Sequence, residues 1–173
     1  TGNCASVTAY YDNITGVLGN PPNNDPATGP AAPPARDAAD VMSFYGGDGN
    51  SYTDEAGVVI VGFGAGVPES VTLADGQVVT KVPGHKYHGI GNETQGFDVS
   101  AMDKFYFDFY TTDDMTNHPL GLKFEDLAGG QQELAIPAGG VLAADQWHSV
   151  EVDLSLFNSV DFSQLKWIVP VTW

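Results

Sequence analysis

Six prolines fall within the sixteen residues Gly19 to Pro34, a stretch with almost nothing able to enter a core. It divides a short strand-like segment, Val7-Thr8-Ala9-Tyr10-Tyr11-Asp12-Asn13-Ile14, from everything that follows. Such a stretch is expected to be an extended, polyproline-like spacer. At about 3.1 Å per residue it reaches roughly 50 Å, enough to cross a domain or to bridge to a neighbour. The chain therefore divides into an N-terminal closing or donor strand over 1–18, a Pro/Asn/Ala-rich linker over 19–37 and a body over 38–173. The 7–14 segment has the pattern of a closing strand, and the body ends at Trp173 without a second one. A sheet short of one strand must take it from its own arm or from another copy.

The body reads as all-β. With 21 Gly, 11 Pro, nine Phe, seven Tyr and three Trp in 173 residues, short strands and turns are favoured over helices. Strands are predicted at about 41–45, 58–63, 70–73, 78–82, 86–91, 104–111, 120–126, 131–136, 147–154 and 166–172, most of them bounded by Gly, Pro, Asn or Asp. The clearest is Lys104-Phe105-Tyr106-Phe107-Asp108-Phe109-Tyr110-Thr111, where period-two pleating puts Phe105, Phe107 and Phe109 on one face, predicted to be core. Leu120, Leu122 and Phe124, then Val150, Val152 and Leu154, repeat the pattern. Helical turns are expected only near Ser155–Asn158 and Asp161–Leu165. About ten short strands in one domain predict a two-sheet β-sandwich of jelly-roll type.

Charge narrows the partners. Twenty-two acidic residues against six basic ones give a net charge of −16, which disfavours nucleic acid and anionic membrane and suits divalent cations. Most of these carboxylates are accounted for by a solvated acidic surface. Cys4 is the sole cysteine, so an internal disulfide is excluded. No apolar run of about 20 residues predicts a membrane span. The chain begins Thr1-Gly2-Asn3 rather than with Met, pointing to a processed or excised piece of an extracellular protein.

Asp48-Gly49-Asn50-Ser51-Tyr52-Thr53-Asp54 sets side-chain oxygens at alternate positions of a glycine-containing turn, a pattern suited to calcium, which takes six to eight hard oxygens. It is not an EF-hand, lacking glycine at the sixth position and glutamate at the twelfth. Asp113, Asp114 and Asn117 form a weaker acidic group. For sugar, exposed aromatic platforms beside polar groups are needed. None of Trp147, Trp167 and Trp173 is an evident platform, while Tyr52, Tyr87, His88 and Asn92 are candidates to line a cleft, set against an ordinary loop at the sandwich edge. His85, His88, His118 and His148 lack metal spacing, and strand parity sends His85 and His88 to opposite faces. Neither a nucleophile elbow nor a singled-out carboxylate pair supports an enzyme. Asn13-Ile14-Thr15 and Asn92-Glu93-Thr94 are formal glycosylation sequons.

Ala38-Ala39-Asp40-Val41-Met42-Ser43-Phe44, Phe97-Asp98-Val99-Ser100-Ala101-Met102 and Gln146-Trp147-His148-Ser149-Val150-Glu151-Val152-Asp153-Leu154, with Tyr11-Asp12-Asn13-Ile14, resemble the tandem jelly-roll modules of secreted glycan-degrading proteins, which are similar to carbohydrate-binding modules. The resemblance spans most of 36–173 plus 6–14 and departs in order, because the family's final strand here precedes the module. It implies a structural calcium near the opening strand that Asp12 would join, giving Asp12, Asp48, Asn50 and Asp54 as ligands. Two functions follow as expectations. The first is a non-catalytic subunit that polymerises by donating Val7, Ala9, Tyr10, Tyr11 and Ile14 to a copy of itself, reinforced by calcium. The alternative is a calcium-containing carbohydrate-binding module whose strand closes its own sheet, with polysaccharide as partner; an adhesin repeat that spaces other domains differs from the first by covalent linkage.

Overall fold

The computed structural model describes residues 25–45, 52–63, 66–113, 115, 119–136 and 142–172, together with the backbone of Ala9–Asp12. Ten strands are placed: β1 (Ala9–Asp12), β2 (Val59–Gly62), β3 (Glu69–Thr72), β4 (Val78–Val82), β5 (His88–Gly91), β6 (Lys104–Thr111), β7 (Leu120–Asp126), β8 (Gln131–Ile136), β9 (Gln146–Asp153) and β10 (Leu165–Thr172). They form two five-stranded antiparallel sheets, ordered β3-β4-β1-β6-β9 and β2-β5-β10-β7-β8. The all-β expectation holds, and helical structure among the described residues is confined to short 3-10 turns, three of them at Ala38–Asp40, Leu154–Leu156 and Phe162–Gln164.

Alternation explains the layering. Phe107 and Phe109 of β6, Val150 and Val152 of β9, and Val82 of β4 face one shared core with Leu120, Leu122 and Phe124 of β7, Ile90 of β5 and Ile168 of β10. Phe124 sits at its centre, edge-on to Phe157 at 4.6 Å and to Phe105 and Phe162 at 5.4 Å. Each buried aromatic of this kind contributes about 1.5–3 kcal/mol relative to exposure.

Segment 41–45 departs from expectation. It joins no named strand; Ser43 makes one isolated parallel bridge to Asp54, and the Glu55 amide donates to Ser43 O. Phe44 is nevertheless buried, edge-on to Phe97 at 5.0 Å. Ser43 and Phe44, adjacent in sequence, are both buried, while the sheet positions themselves are taken by other strands.

The described part of the linker, from Asp25 on, carries no helix or strand before Ala38. Pro26 and Pro30 are buried, and 31–37 is mostly exposed. The segment from Asp25 lies against β4, β9 and the β3–β4 turn.

Candidate functional site

β1 is the first candidate, because it is an interior strand. Ala9, Tyr10 and Tyr11 pair with Val82, Lys81 and Thr80 of β4, while Tyr10, Tyr11 and Asp12 pair with Tyr110, Phe109 and Asp108 of β6. In the structure the slot is filled by the chain's own arm. Of the predicted assembly residues, Ala9, Tyr10 and Tyr11 fall on β1; Val7 and Ile14 lie outside the described residues.

The register sets Asp12 opposite Asp108, which is fully buried. Asp108 Oδ1 accepts hydrogen bonds from Ser149 Oγ at 2.6 Å and Tyr106 OH at 3.1 Å, whereas its buried Oδ2 has no partner among the described residues. Burial pushes its carboxyl up to about 6, although both hydrogen bonds pull it back. Such a group stores unfavourable free energy at neutral pH.

The expected calcium ligands do not assemble among the described residues. Asp48 and Asn50 lie outside them, as does the side chain of Asp12. Asp54 is exposed, and its Oδ1 accepts from Ser43 Oγ at 2.5 Å. No group of three or more His, Cys, Asp or Glu side chains converges on a metal position among the described residues. Of the weaker acidic group, Asp113 has its amide on Thr111 Oγ1, and Asp114 and Asn117 lie outside the description.

The predicted sugar contacts separate. Tyr52 borders a cleft of about 540 Å³ beside Arg36, Tyr45 and Tyr106, its hydroxyl accepting from the Arg36 amide at 2.9 Å. Tyr87 borders a different groove. Asn92 is consumed by its own turn, accepting from the Thr94 and Gln95 amides and donating to Gly57 O at 2.7 Å. His88 is fully buried, its Nδ1 3.0 Å from His85 Nε2, so it presents nothing to a surface ligand. This pairing also corrects the expectation that the two rings diverge: His85 precedes β5, in a segment where strand parity does not hold. Desolvation lowers His85 to about 3 and His88 well below its ordinary value, so both rings are neutral.

The groove at Tyr87, about 580 Å³, lies on the outer face of the second sheet. Its floor is Trp167, Val169 and Val171, with Phe63 edge-on to Trp167 at 5.4 Å. A register shift between Leu165 and Trp167 allows Leu165 and Ile168 to face the core while Trp167 turns to the groove. Three of the six cationic side chains, Lys86, Lys123 and Lys166, line it with Glu93, Glu125 and Glu133. Lys123 pairs with Glu125 at 2.5 Å and Lys166 with Glu93 at 2.9 Å. The Lys166 ammonium holds Glu93 below the usual carboxylate range. Sequence reasoning named only Tyr87 here, because residues of three strands meet through pairing between positions far apart in sequence.

Comparison with protein-family models, with curated proteins and with solved structures gives no match. No helix among the described residues is long and apolar enough to cross a membrane.

Proposed function

We propose that this chain is an extracellular, non-catalytic structural subunit of jelly-roll type that assembles by lending β1 to the next copy. One observation carries the reading: β1 is an interior strand supplied by an arm. Without it the first sheet falls into two separate pairs, β3–β4 and β6–β9, whose facing edges are unpaired. Unpaired edges of this kind are templates for an incoming strand. The contacts that close the slot within one chain are the same contacts a neighbour's arm would make, which is the condition for strand exchange between identical copies. Calcium has no described ligand set and takes no part in this reading.

The test is the mass of the full-length protein by light scattering across concentration, with calcium and with chelator, checked by negative-stain microscopy. Polymers that dissolve on competition with a peptide of residues 5–18 are expected. A strict monomer at every concentration overturns the proposal.

The groove at Tyr87 favours a second reading, a carbohydrate-binding module that keeps β1 for itself. Its three lysines and three glutamates cancel on a chain of net charge −16, which suits an uncharged, polyhydroxylated ligand better than a polyanion. Monomeric protein that binds neutral oligosaccharides and loses at least tenfold affinity on Tyr87→Ala would install this reading in place of the first. Unchanged affinity in Tyr87→Ala would remove it.

A further inference from the structure

The arm is held by more than its own pairing. Residues 25–30 lie against the outer face of the first sheet, and each contact is specific. Asp25 Oδ1 accepts from Lys81 Nζ at 2.9 Å. Trp147 Nε1 donates to Thr28 O at 2.6 Å. The Gly29 amide donates to Asp75 Oδ2 at 2.8 Å, and Asp75 Oδ1 takes the Gln77 amide at 3.0 Å. Pro26 and Pro30, buried, flank this anchor. The approach at Gly29 is close: a Cβ there would lie 2.0 Å from Gln77 Oε1 and 3.0 Å from Gln77 Cβ, so the Gln77 side chain would have to swing away to admit it.

The surface beneath is apolar. Leu73 and Val79 are buried with Val71, Tyr110 and Trp147 packed against them, a cluster separate from the main core. An outer sheet face carrying such a patch requires cover, and proline is suited to provide it because it buries surface while giving up little chain entropy. The same patch borders β1. Tyr10 lies in register between Lys81 and Tyr110. The 25–30 segment grips Lys81 through Asp25, and it grips Trp147, whose ring is 5.2 Å from that of Tyr110. Residues 25–30 thus hold β4, which pairs with β1 on one side, and β9, which lies just beyond β6, the strand that pairs with β1 on the other.

We infer that residues 25–30 form a strap that latches β1 into the slot of its own body and must lift before the arm passes to another copy. This rests on the strand-lending reading for its consequence, though the latch itself is a property of one chain. Twelve residues, 13–24, connect the strap to β1. With the strap docked, only their reach, roughly 40 Å when fully extended, is open to the arm. With it lifted, the whole 13–37 segment becomes available.

The experiment replaces residues 25–30 by a Gly-Ser sequence of equal length in the full chain, with the same replacement over 31–35 as control. Hydrogen exchange of the Ala9–Asp12 amides is followed together with mass by light scattering. Expected is at least tenfold faster exchange of the β1 amides in the strap variant, unchanged exchange in β7 and β10, and no effect from the control. Should the strap variant lose protection in β7 and β10 as well, Gly29→Ala is judged by the same criterion. Wild-type exchange of the β1 amides in the strap variant, or an equal effect of the control, overturns the inference. Mass decides the strand-lending reading separately: a monomer throughout removes that reading, while the β1 amides alone decide the latch.

Discussion

Ser149 Oγ donates to Asp108 Oδ1 at 2.6 Å across the β9–β6 pair, on the strand that also faces β1. That bond, with the one from Tyr106, leaves the second carboxylate oxygen buried without a partner among the described residues.

Asp108→Asn is expected to stabilise the protein at pH 7.5. The carboxyl titrates near 6 in the folded chain against about 3.8 unfolded, so the folded state binds the extra proton between those values. Its contribution is therefore most favourable in acid and is lost as pH rises from about 4 to 6. At about 1.4 kcal/mol per pH unit the cost above pH 6 approaches 3 kcal/mol, of which Asn should recover about 1–3. Urea midpoints at pH 4.5 and 7.5 check this; an equal effect of the substitution at both values would refute it.

The His85–His88 pair acts in the opposite direction. Both rings are lowered by burial, so the unfolded chain takes up protons first, and stability falls as pH drops below about 6.5. In the wild type this loss is partly offset between pH 6 and 4 by Asp108. In the Asp108→Asn background the decline should stand alone, at up to about 1.4 kcal/mol per pH unit for each ring. A denaturation series from pH 7 to 4 in both proteins measures the difference.

Asp126 is a structural acid. Its Oδ1 accepts the Gly130 amide and its Oδ2 the Asp161 amide, each at 2.8 Å, tying the β7–β8 turn to the loop before β10. Asp126→Ala leaves both amides without that acceptor and should cost about 2–4 kcal/mol, read as a lowered urea midpoint with an unchanged slope.

Gly91→Ala should be among the most damaging single changes. Gly91 has φ of 151°, and an added Cβ would lie 2.0 Å from the Lys166 backbone oxygen in β10. Relief requires moving the central strand, an expected loss of about 3 kcal/mol or more. Thermal unfolding of the variant tests it, and a melting temperature within about 2 °C of wild type would contradict the packing described.

Much of the strand layout was legible because period-two alternation is a local signal. Strands β6, β7 and β8 occupy the predicted ranges, and Phe107, Phe109, Leu120, Leu122, Phe124, Val150 and Val152 are core as predicted. Segment 41–45 was misleading because a short apolar run can be buried, as Phe44 is, without a neighbouring strand to extend the pairing. Where the linker docks was not legible, because proline content argues for extension and says nothing of which surface the extended chain lies on.

The amino-acid sequence by itself determined that this is an all-β chain with an arm, a proline-rich connection and a strongly acidic surface, since pleat period, turn residues and formal charge are properties of neighbours along the chain. Only the tertiary structure decided that β1 lies between β4 and β6, that Asp12 is in register with Asp108, that Thr28 of the linker meets Trp147 and that half of the cations line one groove. Those outcomes depend on which strands pair across long separations and in what register. Pairing of that kind is settled by the combined burial of two sheets, for which no single segment carries the information.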